Sequence, residues 1–149
     1  MRTINKIVVH CSDSGWGDAA VIDEWHRARD FAMIGYHLVV LNGYRKSREF
    51  NPDEVGMVEK GREENLVGSH VRGYNRNSLG ICYIGNANNP PTDLMLDVLT
   101  ERIIAWMDRY GVDVENVVGH TELDSGKSCP DLDMYKFRAR LQERIRGGW

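Results

Sequence analysis

The sequence predicts a single α/β domain over residues 1–149, a central mixed β-sheet flanked by about three main helices. Three observations carry that expectation. Short runs rich in β-branched residues (KIVVHC, LVVL, SLGICYI) alternate with segments whose apolar residues recur at helical spacing. A chain of 149 residues with 42% hydrophobic content suits one buried core. No internal repeat, low-complexity tract or linker divides it.

The elements follow in order. Lys6–Cys11 reads as a buried strand, because Ile7, Val8 and Val9 favour extended backbone and Asp13-Ser14-Gly15 breaks the run. Helical spacing then covers residues 19–31, with Asp18 as cap and Val21 or Ile22, Trp25 and Ala28 on one face. Residues 36–41 form a second strand, expected to end in a tight turn at Asn42-Gly43. The charged, aperiodic stretch 44–56 reads as an irregular excursion before a third strand near residues 57–62. Residues 78–84 are a fourth strand. Thr92 caps a helix to about Tyr110, with Leu96, Leu99, Ile103, Trp106 and Tyr110 in one stripe and Gly111 as its stop. A last strand at 114–118, a polar loop from His120 to Pro130, and a helix over 133–145 burying Met134, Phe137, Leu141 and Ile145 complete the chain.

Composition excludes several classes. Nineteen Lys and Arg against 22 Asp and Glu give a net charge of −3, so bulk attraction to nucleic acid does not organise the molecule. No apolar run approaches the roughly 18 residues of a membrane span, and none near the N-terminus resembles a signal-peptide core. Synthesis in the cytoplasm, no stable membrane insertion and a monomer are expected. Three cysteines, Cys11, Cys82 and Cys129, make no paired framework and point to free thiols or metal ligation.

His10 ends the first strand and projects into a cleft at the sheet edge, while alternation turns Cys11 to the other face. Alone, it reads most simply as a hydrogen-bonded histidine. His120 repeats the arrangement at the end of ENVVGH, and Cys129 follows nine residues later. Two imidazoles and one thiolate form a suitable set for zinc, with a fourth position left for water as in a catalytic centre. Lys127, two residues before Cys129, would place a cation there to stabilise an oxyanion or protonate a leaving amine, unless it is simply solvated. Tyr36 either reaches substrate or packs under the first helix; His37 faces away and reads as a core histidine. In NLVGSHVRGYNRN, residues such as His70 and Asn75 could line a cleft for a polar substrate. Cys82 reads as a small buried hydrophobe. Trp16 is the tryptophan best placed to stack on a sugar.

VVHCS, GYHLVV, VGSHVRGYNRNSLGICYIGN and GHTELDSGKSCP occur in this order. Together they resemble the zinc-dependent N-acetylmuramoyl-L-alanine amidases of the phage lysozyme type, the amidase-2 family, whose fold is shared with the peptidoglycan recognition proteins. The resemblance runs from about Ile4 to Tyr135. It implies one zinc ion held by His10, His120 and Cys129, catalytic roles for Tyr36 and Lys127, and substrate contacts from His70 and Asn75. It also implies peptidoglycan as substrate and action on the cell wall after release, as in a phage or prophage endolysin. Glu122 falls on a recurring acidic position without an evident role. Residues 44–56 stand as an insertion relative to such phage sequences. Two other readings compete: a peptidoglycan-binding module that does not cleave, which would commonly lack the cysteine, and a structural zinc domain, which would need a fourth protein ligand.

Overall fold

Lys6–Cys11 forms strand β1 in the computed structural model of the chain, which describes residues 2–147. Helix α1, Ala19–Ala28, starts where the Asp18 carboxylate accepts the Val21 N–H at 2.9 Å. Strands β2, Leu38–Lys46, and β3, Glu49–Lys60, precede β4, Ser78–Tyr83. Helix α2, Asp93–Tyr110, is capped by Thr92 and closed by Gly111 in a left-handed conformation. Strand β5, Val117–Gly119, leads directly into the one-turn helix α3, His120–Leu123, and α4, Met134–Ile145, follows.

The sheet order is β3-β2-β4-β1-β5. β2, β4, β1 and β5 run parallel, and β3 is antiparallel to β2. Alternation along the strands sends Ile7, Val9, Leu79, Ile81 and Tyr83 into one core with α2 and α4. Val39, Leu41, Cys82 and Ile84 face the other way, against Ile22 and Trp25 of α1. The expected mixed sheet between helical layers is observed, and so are a buried Cys82 and the Leu99, Ile103 and Trp106 stripe.

Four local expectations are corrected. Asn42-Gly43 is not a turn: β2 runs through it to Lys46, and residues 44–56 belong to a long hairpin rather than an irregular loop. The ladder slips register on both sides of Asn42, whose amide is spent on the Tyr44 N–H and the Gly15 carbonyl. Gly43, with φ +92°, serves this bulge, leaving the reversal to Ser47-Arg48. Pro52 is accommodated because β3 is an edge strand. The first helix stops at Ala28, with the Arg29 to Phe31 amides bonding back onto it. At the last strand, the Asn116 N–H bonds back to Asp113, so residues 114–116 make a 3₁₀ turn and only three residues join the ladder. Ile145, past the reach of the core, is 53% exposed.

Candidate functional site

His10 and His120 lie at the carboxyl ends of β1 and β5, and the groove beside them runs over the α1 face of the sheet, past Tyr36 before β2 and His70 over Gly80 of β4. His10 is the penultimate residue of β1, paired in register with Cys82 of β4. It faces the α1 side of the sheet, whereas Cys11 belongs to the opposite core, as alternation predicts. His10 is fully buried, and burial followed by the neighbouring imidazoles depresses its pKa well below the ordinary value, so the ring is neutral.

A hydrogen-bonded chain holds that ring. His10 Nε2 lies 2.8 Å from His70 Nδ1, and His70 Nε2 lies 3.1 Å from Ser78 Oγ. When His10 Nε2–H donates to His70 and His70 Nε2–H donates to Ser78, the His10 Nδ1 lone pair faces Cys129 Sγ, 3.8 Å away. The Asn75 side-chain oxygen accepts both the His70 and Val71 N–H groups at 2.9 Å, tightening the loop that carries His70. Gly80 is what makes room: a Cβ there would stand 2.7 Å from His70 Cγ.

Neither His120 nor Cys129 belongs to the sheet. His120 begins α3 immediately after β5, so the polar segment after it opens with a helical turn. Cys129 is tethered at three points. Its Sγ accepts the Cys11 N–H at 3.0 Å, its carbonyl accepts the Thr121 N–H at 2.8 Å, and the Tyr83 hydroxyl donates to the next carbonyl, Pro130, at 2.6 Å. The neighbouring Cys11 thiol, together with burial, raises the Cys129 thiol pKa; coordination of a divalent ion would deprotonate it.

One ligand atom each from His10, His120 and Cys129 lies within 4.8 Å of the others. Two nitrogens and a sulfur suit a borderline-soft divalent ion, and three protein ligands leave one position open to the groove. The donor set therefore fits zinc chemistry.

The groove, about 740 Å³, is lined by Tyr36, Lys127, His70, Asn75, His120 and Cys129 among others. The Tyr36 ring tilts against His10 at 4.9 Å, and burial raises its pKa well above the ordinary value, so it is a protonated phenol at neutral pH. Lys127 is exposed on the groove wall, its N–H bonded to the Asp124 carbonyl. The structure thus brings His10, Tyr36, His70, Asn75, His120, Lys127 and Cys129 to one groove, whereas Trp16 stands outside it. His37 is buried behind them: its Nδ1 accepts the Gly80 N–H at 3.0 Å and its Nε2 meets the Leu66 carbonyl at 2.9 Å. Trp16 packs edge-on against Trp25, and it is Trp25 that lines the groove.

Sequence reasoning missed His26, whose Nδ1 accepts the Gly35 N–H and whose ring contacts Tyr36 at 5.3 Å. Its one signal was position, four residues after Ile22 on the buried face of α1. Glu122 and Arg138, which brace the corner before His120, had no local signal that they meet.

The N-acetylmuramoyl-L-alanine amidase family matches residues 1–131. The endolysin of Klebsiella phage KP32 is 29% identical over 142 residues, covering 89% of this chain and 84% of that protein. The endolysin of Escherichia phage T7 is 28% identical over 147 residues, covering 91% and 86%. Among solved structures, the N-acetylmuramoyl-L-alanine amidase LysC from Clostridium intestinale superposes with a TM-score of 0.80 at 26% identity, covering 95% of this chain and 87% of that one.

Proposed function

The chain belongs to the N-acetylmuramoyl-L-alanine amidase family, and from that premise we propose that it cleaves peptidoglycan with one zinc ion held by His10, His120 and Cys129. The bond is the amide joining the lactyl group of N-acetylmuramic acid to L-alanine. The carrying observation is the convergence of two imidazoles and a thiol within 4.8 Å, on the wall of a groove that Tyr36 and Lys127 also line.

Bound zinc supplies Lewis acidity and an activated water near neutral pH. The chain's own groups do the rest. The groove orients the scissile carbonyl, with Asn75 and His70 on one wall. Tyr36 donates its phenolic hydrogen bond to the oxygen that gains charge as the carbonyl is attacked, and Lys127 adds a cation to the same region. Lys127 is also the proton donor to the departing L-alanine nitrogen. His70 keeps the His10 tautomer that turns Nδ1 toward the ligand cluster.

Similarity to phage endolysins supports release onto the host wall during lysis as the biological setting. Among the described residues no helix is long and apolar enough to cross a membrane.

The test is mass spectrometry of purified peptidoglycan incubated with the protein, with and without a chelator. Free peptides beginning at L-alanine beside uncut glycan strands, lost with chelator and restored by zinc, are expected. Cut glycan or cut cross-links would assign a different bond. Retention on wall material without products would instead identify a binding module.

A further inference from the structure

We propose that Glu122 and Arg138 act as a positioning pair for His120, holding it in the direction metal binding requires; the proposal rests on the zinc reading above. His10 has its ring fixed by His70, but among the described residues none hydrogen-bonds the His120 ring. The His120 ring packs edge-on against that of His10 at 4.7 Å, so its direction depends on that contact and on the backbone corner that carries it. That corner is closed by side chains from two other places.

The Glu122 carboxylate reaches back along α3 and accepts the Gly119 N–H at 2.9 Å, satisfying a donor left open at the helix start. Arg138 of α4 forks onto the same carboxylate, Nη1 to Oε1 at 2.7 Å and Nη2 to Oε2 at 3.0 Å. Its Nη1 also donates to the Val117 carbonyl of β5 at 3.0 Å. These bonds form a closed ring around the strand-to-helix corner, from Val117 through Arg138 and Glu122 to Gly119, and His120 is the next residue. Arg138 is anchored because Met134, Phe137 and Leu141 of the same helix are buried in the core.

The corner also bears on Cys129. Thr121, next to His120, donates its N–H to the Cys129 carbonyl at 2.8 Å. Gly119 lies against the residue after that cysteine, so close that a Cβ would stand 2.8 Å from Pro130 Cδ. A shift of α3 thus displaces two of the three donor residues together. The Arg138 and Glu122 side chains are 16% and 30% exposed and joined at two points, so breaking the fork also costs some stability; metal affinity and geometry are the readouts that report positioning.

The experiment uses the full chain, stripped of metal, with zinc affinity read by competition with a chromophoric chelator and geometry read from the visible spectrum of the cobalt(II) form. Glu122→Gln removes the charge of the fork, and Arg138→Lys keeps the charge but loses the two-point grip. Asp97→Asn is the control, since it breaks another ion pair of α4, the one Arg140 makes with α2. Glu122→Gln and Arg138→Lys are each expected to weaken zinc by about 10–100-fold and to alter the cobalt spectrum. Asp97→Asn is expected to retain wild-type affinity. The double variant Glu122→Gln/Arg138→Lys should lose no more than the worse single, because the two act as one unit. Wild-type affinity and spectra in both single variants overturn the proposal. Equal weakening in all three overturns it too, since that would reflect general loosening of α4. Wild-type protein that binds no zinc overturns the metal reading itself, a separate outcome.

Discussion

The two sides of the candidate metal centre are built differently. His10 sits in a central strand, buried, its ring held by His70 and Ser78 through side-chain hydrogen bonds. His120, at the start of α3, and Cys129, in the segment after it, sit at the rim, partly exposed; they are placed mainly through the Gly119 N–H, the Cys129 carbonyl and the Pro130 carbonyl, with the Cys129 Sγ also accepting the Cys11 N–H. The strand side is rigid because moving it would break a sheet. The rim side lies outside the ladder, and its geometry depends on its braces. A centre of this kind keeps one donor fixed and brings the others to it, while the open position stays toward substrate.

The comparison can be broken from either side. Cys129→Ser should give the largest effect, abolishing zinc binding and peptide release beyond the 10–100-fold typical of outer partners. Compared with both proteins metal-free, its thermal midpoint should stay near that of the wild type; metal analysis, product assay and a melting curve check this together, and unchanged activity would sink the mechanism. Tyr36→Phe is expected to lower kcat by about 10²–10³-fold with metal content intact, the size seen when one oxyanion donor is removed.

His70→Ala tests the strand side. It should weaken zinc by about 10–100-fold and, unlike Cys129→Ser, also cost about 1–3 kcal/mol of stability by leaving a buried His10 nitrogen unpaired. A urea midpoint equal to that of the wild type would show that the strand side is not held as described. The pH dependence sharpens the same point. His26 and His37 are pushed down to about 4, chiefly by burial, so they are neutral in the folded chain. The unfolded chain takes up these protons near pH 6.5. Stability is therefore full above about pH 7 and falls as pH drops from about 6.5 toward 4; urea midpoints at pH 7 and pH 5 should differ in that direction. Phe50→Ser, on the hairpin and 52% exposed with its ring against Tyr44 at 4.9 Å, is the smallest change, expected to cost about 0.5–1.5 kcal/mol and to leave zinc affinity unchanged.

Much of the site was legible from residue order. His10 and His120 each follow a run of β-branched residues, and such runs end at the rim of a parallel sheet, where ligands bind. The offset of Lys127 from Cys129 and the resemblance across four motifs pointed to the other candidates, which line the same groove. Glu122 was noticed without a role because its partner, Arg138, is 16 residues away on another helix. His70 was read as a groove residue, and it does line the groove; its bond to His10 spans 60 residues and has no local trace. Asn42-Gly43 misled because the same φ freedom that makes a turn also makes a bulge.

The sequence by itself determined the α/β class, the apolar faces of α2 and α4, the two strand-end histidines and the chemical set suited to zinc. Those features depend on periodicity and on residue type, which are local properties. Tertiary structure alone decided the 4.8 Å convergence of His10, His120 and Cys129, the tautomer chain beneath His10 and the brace before His120. Each joins residues far apart in the chain, and such distances are set only when the sheet closes and α4 packs across it.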